Sequence, residues 1–257
     1  MLLFDKVCLI AGVASLRGIG YATAELFAQH GAKLVLVDVA MDNETIGTIR
    51  SSIGEKVGRE PMLVGIKCDI QNYADCAAAV AEAVKQFGTI DCLINSAGIV
   101  RAQSLLAIEE ADYDQVLGIN LKGTFNLCKS VLNVFVKNRH GAIVNFASVA
   151  AQRGGGLVGG AHYAASKGGV ISLTRSIARE FGPLGIRANV ICPSMTETGM
   201  LDGNVNQKQI DEIVAGIPLR RAGKPADMAG ASLFLASELS AYVTGATLDV
   251  NGGSHIH

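Results

Sequence analysis

Tyr163 and Lys167 stand four residues apart in Tyr-Ala-Ala-Ser-Lys, which sets both side chains on one face of a helix, one turn from each other. A phenol titrates near about 10 in water, and a neighbouring ammonium favours its ionised form. A phenol lowered in this way can give or take a proton at an alcohol or ketone oxygen near neutral pH. A Tyr covering the stem of a surface Lys would leave the same pattern. The chemistry therefore hinges on whether the chain also holds a hydride carrier beside Tyr163.

A second group of residues could hold one. The run from Gly12 through Ser15, Arg17, Gly18 and Ile19 to Gly20 follows an apolar segment and opens a helical one. Glycines there let the backbone approach a pyrophosphate, and the helix N-terminus offers N–H groups and a positive dipole end. The spacing is not Gly-x-Gly-x-x-Gly, and an ordinary glycine-rich turn is the competing reading. Asp38 closes the second apolar segment, where a carboxylate can hold ribose hydroxyls and repel a 2′-phosphate. Its plainer role is that of a turn residue at a strand end.

These residues need a frame, and strand-like and helix-like segments alternate along the chain to supply one. Strands are expected over residues 6–11, 33–37, 62–67, 92–94, 142–146, 188–191 and 247–250. Helices are expected over 19–30, 74–87, 109–117, 123–137, 163–181 and 225–236, with Gly31 and Gly88 as stops. Continuous apolar strands separated by helices imply one doubly wound, Rossmann-like parallel sheet of about seven strands, with helices on both faces. No linker, repeat or low-complexity stretch divides residues 1–257, so one domain is expected. Residues 195–206 are polar and aperiodic, and are expected to form a mobile lid.

Composition narrows the partners. Hydrophobic residues make up 49% and charged residues 18%, with a net charge of −1 and a mean hydropathy of +0.34. That balance implies two-sided sheet burial, subunit burial or both, and no nucleic-acid or anionic-membrane surface. No apolar run is long enough to span a bilayer. Residues 1–6 lack a basic start and a cleavage site, and read as the lead into the first strand. Cys8, Cys68, Cys76, Cys92, Cys128 and Cys192 form no Cys-x-x-Cys pair, and read as buried small hydrophobes in a reducing, cytoplasmic setting. No His/Cys/carboxylate cluster has metal-ligand spacing.

Taken together, these residues resemble the short-chain dehydrogenase/reductase family over essentially the whole chain. The resemblance rests on the glycine turn, Asp69 after the third strand, Asn95-Ser-Ala97-Gly98, Asn120-Leu-Lys-Gly, Ser148, Tyr163-x3-Lys167, and Pro193 followed by Thr198. It implies Tyr163 as acid/base and Ser148 as the group that orients the substrate oxygen. It implies that Lys167 lowers the Tyr163 pKa and holds the nicotinamide ribose, and that Asn120 supports a water relay to Lys167. Asp69 and Ile70 resemble the adenine contacts, and Ile191, Pro193, Thr196 and Thr198 the nicotinamide end. A homotetramer built on the helices at 109–117 and 123–137, and on the last strand with its neighbouring helix, is implied as well.

The chain departs from the family pattern in four places. Gly12 and Gly18 are separated by five residues where three are usual, and the turn's start is similar to that of enoyl reductases, which separate their Tyr and Lys more widely. The loop between Ser148 and Tyr163 is long and glycine-rich. Ser194 stands where Gly commonly follows the Pro. Arg17 sits where NADP users often carry a base, and it conflicts with Asp38. A carboxylate facing a phosphate dianion costs more than an exposed Arg recovers, so NAD is expected over NADP. The expected activity is interconversion of a secondary alcohol (a polyol, sugar or hydroxy acid) and its ketone. The rivals are an NADPH-dependent 3-oxoacyl-[acyl-carrier-protein] reductase and a catalytically silent nucleotide-binding regulator. Arg101 and Arg153 fall beside the expected pocket, as rim residues or as a grip for an anionic substrate.

Overall fold

The computed structural model describes residues 1–156, 158–201 and 206–256. Seven strands form one all-parallel sheet in the order β3-β2-β1-β4-β5-β6-β7. They are β1 (Val7–Ala11), β2 (Lys33–Asp38), β3 (Leu63–Lys67), β4 (Cys92–Asn95), β5 (Gly141–Phe146), β6 (Ile186–Pro193) and β7 (Thr247–Val250). Alternate side chains feed two cores. Cys8 and Ile10 of β1 pack with Phe27, Leu34, Ile53 and Leu233 on one face. Val7, Leu9 and Ala11 pack with Val35, Leu93, Leu127 and Phe135 on the other. The period of two along β1 decides which face each residue serves.

The helices are α1 (Ile19–Gln29), α2 (Asn43–Val57), α3 (Tyr73–Phe87), α4 (Glu110–Leu117), α5 (Thr124–Asn138), α6 (Ala150–Arg153), α7 (Ala161–Phe181), α8 (Gln207–Ala215) and α9 (Pro225–Ala236). Two longer ones, α2 and α8, are absent from the expected set. In α2 only Ile49 and Ile53 are fully buried, so its apolar stripe is thin. The signal lay in its caps: Asp42 accepts from Thr45 N at 2.8 Å, and Gly58 closes it in the left-handed region. A capping box between Asn206 and Gln209 opens α8. Residues 195–206, expected as a mobile lid, are described only in part. Thr196 bridges to Gly223 and residues 199–201 form a 3-10 turn, while 202–205 lie outside the described residues.

The expected helices at 109–117 and 123–137 lie on one helical path. Gly118–Gly123 joins α4 to α5 as a π-helical turn carrying Asn120. Such wide turns inside helices recur at functional sites. Strand order reverses at β1, where the chain, having built β2 and β3 on one side, crosses to β4 on the other. The carboxyl ends of β1 and β4 therefore open a crevice, the usual ligand position in such sheets. No helix among the described residues is long and apolar enough to cross a membrane.

Candidate active site

A cleft of about 920 Å³ runs along the carboxyl edge of the sheet. Gly12 stands at the end of β1 with φ +83°, and a Cβ there would come within 2.7 Å of Ala97 N and Cα. The β1 and β4 turns touch backbone to backbone, a contact only glycine permits. On the next turn, a Cβ on Gly20 would strike the Gly12 carbonyl oxygen. Gly12, Ser15, Gly18 and Ile19 all line the cleft. Arg17 is exposed and does not line it.

Asp38 ends β2 at the same wall, accepting from Ala14 N and Ala40 N, each at 3.0 Å. Its carboxylate therefore ties the β1 turn to the β2 turn and still faces the cleft. Asp69 and Ile70 follow β3 and complete this end. Asp69 Oδ1 accepts from Gln71 N at 3.0 Å, and the carbonyl of buried Ile70 accepts from Asn126 Nδ2 at 2.9 Å. These donors and close approaches fit a dinucleotide: a glycine cradle a Cβ would fill, a helix N-terminus, and a carboxylate at ribose depth. Ser15, Gly18 and Ile19 would flank the pyrophosphate, Asp38 the adenosine ribose, and Asp69 and Ile70 the adenine.

At the other end, β5 delivers Ser148 and α7 delivers Tyr163 and Lys167. Ser148 and Tyr163 line the same end of the cleft, and the Ser148 hydroxyl favours the ionised form of the Tyr163 phenol. Ser148 Oγ also accepts from Ala150 N at 3.1 Å, and Val149 N donates to Pro193 O at 2.9 Å, so two strand ends hold Ser148 in place. Lys167 is buried, with Nζ 2.9 Å from the Phe146 carbonyl oxygen and 5.9 Å from the centre of the Tyr163 ring.

Burial acts on both titrating groups. It pushes the Tyr163 phenol above its ordinary value, the Ser148 side chain pulling the other way. It pushes the Lys167 ammonium down to about 8. Desolvation of the phenolate is the larger influence on Tyr163 here, and the Lys167 ammonium is directed at the Phe146 carbonyl.

Asn120 does not line the cleft. It is fully buried, and its amide closes two 2.9 Å bonds with the N–H and carbonyl of Ile99 and a 3.1 Å bond with Ser166 Oγ. A Cβ on Gly98 would sit 3.1 Å from Asn120 Oδ1 and 3.3 Å from Lys167 Nζ, so both groups converge on that glycine. Asn95 is also buried behind the cleft and is a sheet residue: its Nδ2 donates to Asn145 Oδ1 at 3.2 Å, and Asn145 donates to Thr174 Oγ1 at 2.9 Å. Asn95 is not among the residues that line the cleft. Ile191 is buried in the core rather than at the cleft. Ala97, Gly98, Pro193, Thr196 and Thr198 do line it. Sequence reasoning missed Ser96, Cys68 and the Phe146 carbonyl; the last is a backbone group without a residue-type signal.

All six cysteines are free and buried, and burial pushes the Cys192 thiol, one residue before Pro193, up to about 12. It is a poor nucleophile in this state. No group of His, Cys and carboxylates among the described residues could hold a metal.

A family model described as Enoyl-(Acyl carrier protein) reductase matches residues 12–255. An uncharacterized short-chain type dehydrogenase/reductase, y4mP of Sinorhizobium fredii, is 43% identical over the full length of both chains. The 3-oxoacyl-[acyl-carrier-protein] reductase FabG of Thermotoga maritima is 39% identical over 98% of this chain and 99% of its own. The oxidoreductase UcpA of Salmonella typhimurium is 37% identical over 98% of this chain and 95% of its own.

Proposed function

The chain belongs to the short-chain dehydrogenase/reductase family, and on that premise we propose an NAD-dependent oxidoreductase that interconverts a secondary alcohol and its ketone with Tyr163 as acid/base. The observation that carries this reading is that Ser148, Tyr163 and Lys167 line one end of a cleft whose other end is Asp38. Bound in that cleft, a nicotinamide ring supplies the carbon that exchanges hydride with the carbinol carbon.

The protein's own residues manage the oxygen. In oxidation the Tyr163 phenolate takes the hydroxyl proton, and in reduction the phenol returns it. Ser148 donates to the same oxygen and fixes its direction. Lys167, protonated below about pH 8 and 5.9 Å from the centre of the Tyr163 ring, offsets part, not all, of the cost of a buried phenolate. Gly98 leaves the space in which the Asn120 amide and the Lys167 head approach the same backbone.

Asp38 supports NAD over NADP. The rival, an NADPH-dependent 3-oxoacyl thioester reductase, draws on the name of the Thermotoga relative and on Arg17 at the rim. Initial rates followed by near-ultraviolet absorbance, with NAD and NADP against polyols, sugars, hydroxy acids and 3-oxoacyl thioesters, decide between them. A preference for NADPH and thioester would establish the rival. Absence of turnover on every compound would favour the silent regulator.

Exposed Leu105 and Leu106 in the turn before α4, Tyr113 on α4 and Phe125 on α5, with Leu239 and Tyr242 near β7, support a homotetramer. Light scattering is expected to give four times 26.7 kDa, and a monomer mass at micromolar concentration would contradict it. The buried thiols suit a reducing compartment such as the cytoplasm.

A further inference from the structure

The walls of the cleft beyond Ser148 are apolar, built by Val149, Val158, Met195, Met200 and Ile213. Charge is scarce along it. Among the described residues the charged side chains lining the cleft are Asp38, Asp69, Arg153 and Lys167. Both carboxylates stand at the ends of β2 and β3, separated from β5 by β1 and β4. Lys167 is buried against the Phe146 carbonyl. Among the described residues, Arg153 is therefore the one exposed charged side chain lining the cleft on the Ser148–Tyr163 side.

The chain holds Arg153 there. Its residue ends α6, the single turn that begins just after Ser148, and Arg153 N donates to Val149 O at 3.1 Å. Gln152 pins that turn to β7 through Asp249 Oδ1 at 2.8 Å. The guanidinium gives Nη1 to the Ser254 carbonyl at 3.2 Å, and no carboxylate of the described residues pairs with it. A guanidinium has five N–H donors, so one backbone bond orients the group and leaves a face for another acceptor.

Resting on the alcohol–ketone reading above, we propose that the substrate is an acid: a secondary hydroxy acid, or the matching oxo acid, whose carboxylate docks on Arg153 while its carbinol oxygen meets Ser148 and Tyr163. The carbon chain between the two groups lies against the valines and methionines. A polyol would set several hydroxyls against those walls without partners, which is costly. A neutral ester or thioester would leave the guanidinium without its anion, forfeiting a charge-assisted pair.

The test compares short-chain hydroxy acids with their own methyl esters, which differ in the charge alone at nearly constant shape. kcat/KM is measured for wild type, Arg153→Ala and Arg153→Lys, and an NADH fluorescence titration verifies that each variant is folded. The acid-to-ester ratio is expected to exceed one in wild type and to fall about 10- to 100-fold in Arg153→Ala, chiefly through KM, as for a lost charge-assisted bond. Arg153→Lys is expected to recover part of the ratio. An unchanged ratio, or a wild type that prefers the esters, overturns the proposal. If the acids fail while a neutral alcohol is oxidised with dependence on Tyr163, the acid substrate is wrong and the alcohol–ketone reading stands. If no alcohol or ketone of a wider panel is turned over, both fall.

Discussion

The two ends of the cleft are built on different principles. At the Asp38 end the backbone carries the geometry: Gly12 touches Ala97, and Asp38 ties Ala14 N to Ala40 N within short turns at strand ends. At the Tyr163 end side chains converge from separate elements, Ser148 after β5, Tyr163 and Lys167 from α7, and Asn120 from the π-helical turn. The first end depends on shape and hydrogen-bond direction, the second on protonation. Damage to the first is expected to appear as lost binding, and damage to the second as lost turnover.

The largest effect that would sharpen this contrast is Tyr163→Phe. It deletes the proton carrier and leaves the ring, so kcat is expected to drop by roughly three orders of magnitude or more. NADH affinity, read by fluorescence, is expected to change little. Turnover within about tenfold of wild type would break the assignment of Tyr163.

Next comes Gly12→Ala. The new methyl would sit 2.7 Å from Ala97 backbone at a φ of +83°. Backbone on both sides must shift, and strain of this kind is worth about 1–3 kcal/mol. A lower Tm and weaker NADH binding, each measured directly, are expected together. Intact binding and stability would show that the β1 and β4 turns tolerate separation.

A smaller change is expected from Asp38→Asn, which keeps one acceptor for the Ala14 and Ala40 amides and removes the charge. The ratio of NAD to NADP efficiency is expected to fall by about tenfold, a difference of roughly 1.4 kcal/mol. An unchanged ratio would move cofactor choice to other residues, Arg17 first among them.

The smallest effect is on stability, at Lys167. Its folded pKa, about 8, lies below the ordinary lysine value, so below pH 8 both folded and unfolded chains carry the charge and burial destabilises the fold. Between about 8 and the unfolded value near 10.5 the unfolded chain binds more protons, and this penalty fades as pH rises. Lys167→Met is therefore expected to leave Tm at pH 7 unchanged or slightly raised while turnover collapses, a functional residue held at a cost to stability. A clear fall in Tm would mean that the bond to the Phe146 carbonyl outweighs the buried charge.

Much of this arrangement was legible in the residues. Strongly apolar strands announced a parallel sheet, because segments buried on both faces leave little room for polar residues; all seven strands are present, the last with the expected bounds and the others with one or both ends shifted by one or two residues. Helix α2 escaped notice because two buried isoleucines make no clear stripe, although Asp42 and Gly58 mark its ends. The glycine turn, Asp38, Ser148, Tyr163 and Lys167 could be picked out because each chemistry needs a particular residue type, and all of them line one cleft.

By itself, then, the sequence determined the layer architecture, the glycine-rich turn after β1 and the helical spacing of Tyr163 and Lys167, all of which follow from local periodicity and residue type. Only the tertiary structure decided that Asn95 serves the sheet and Asn120 braces Ile99, since an amide side chain bonds whatever the fold brings to it. It also decided that burial raises the Tyr163 phenol and lowers the Lys167 ammonium. Desolvation is set by everything packed around a group, and chain spacing does not carry that information.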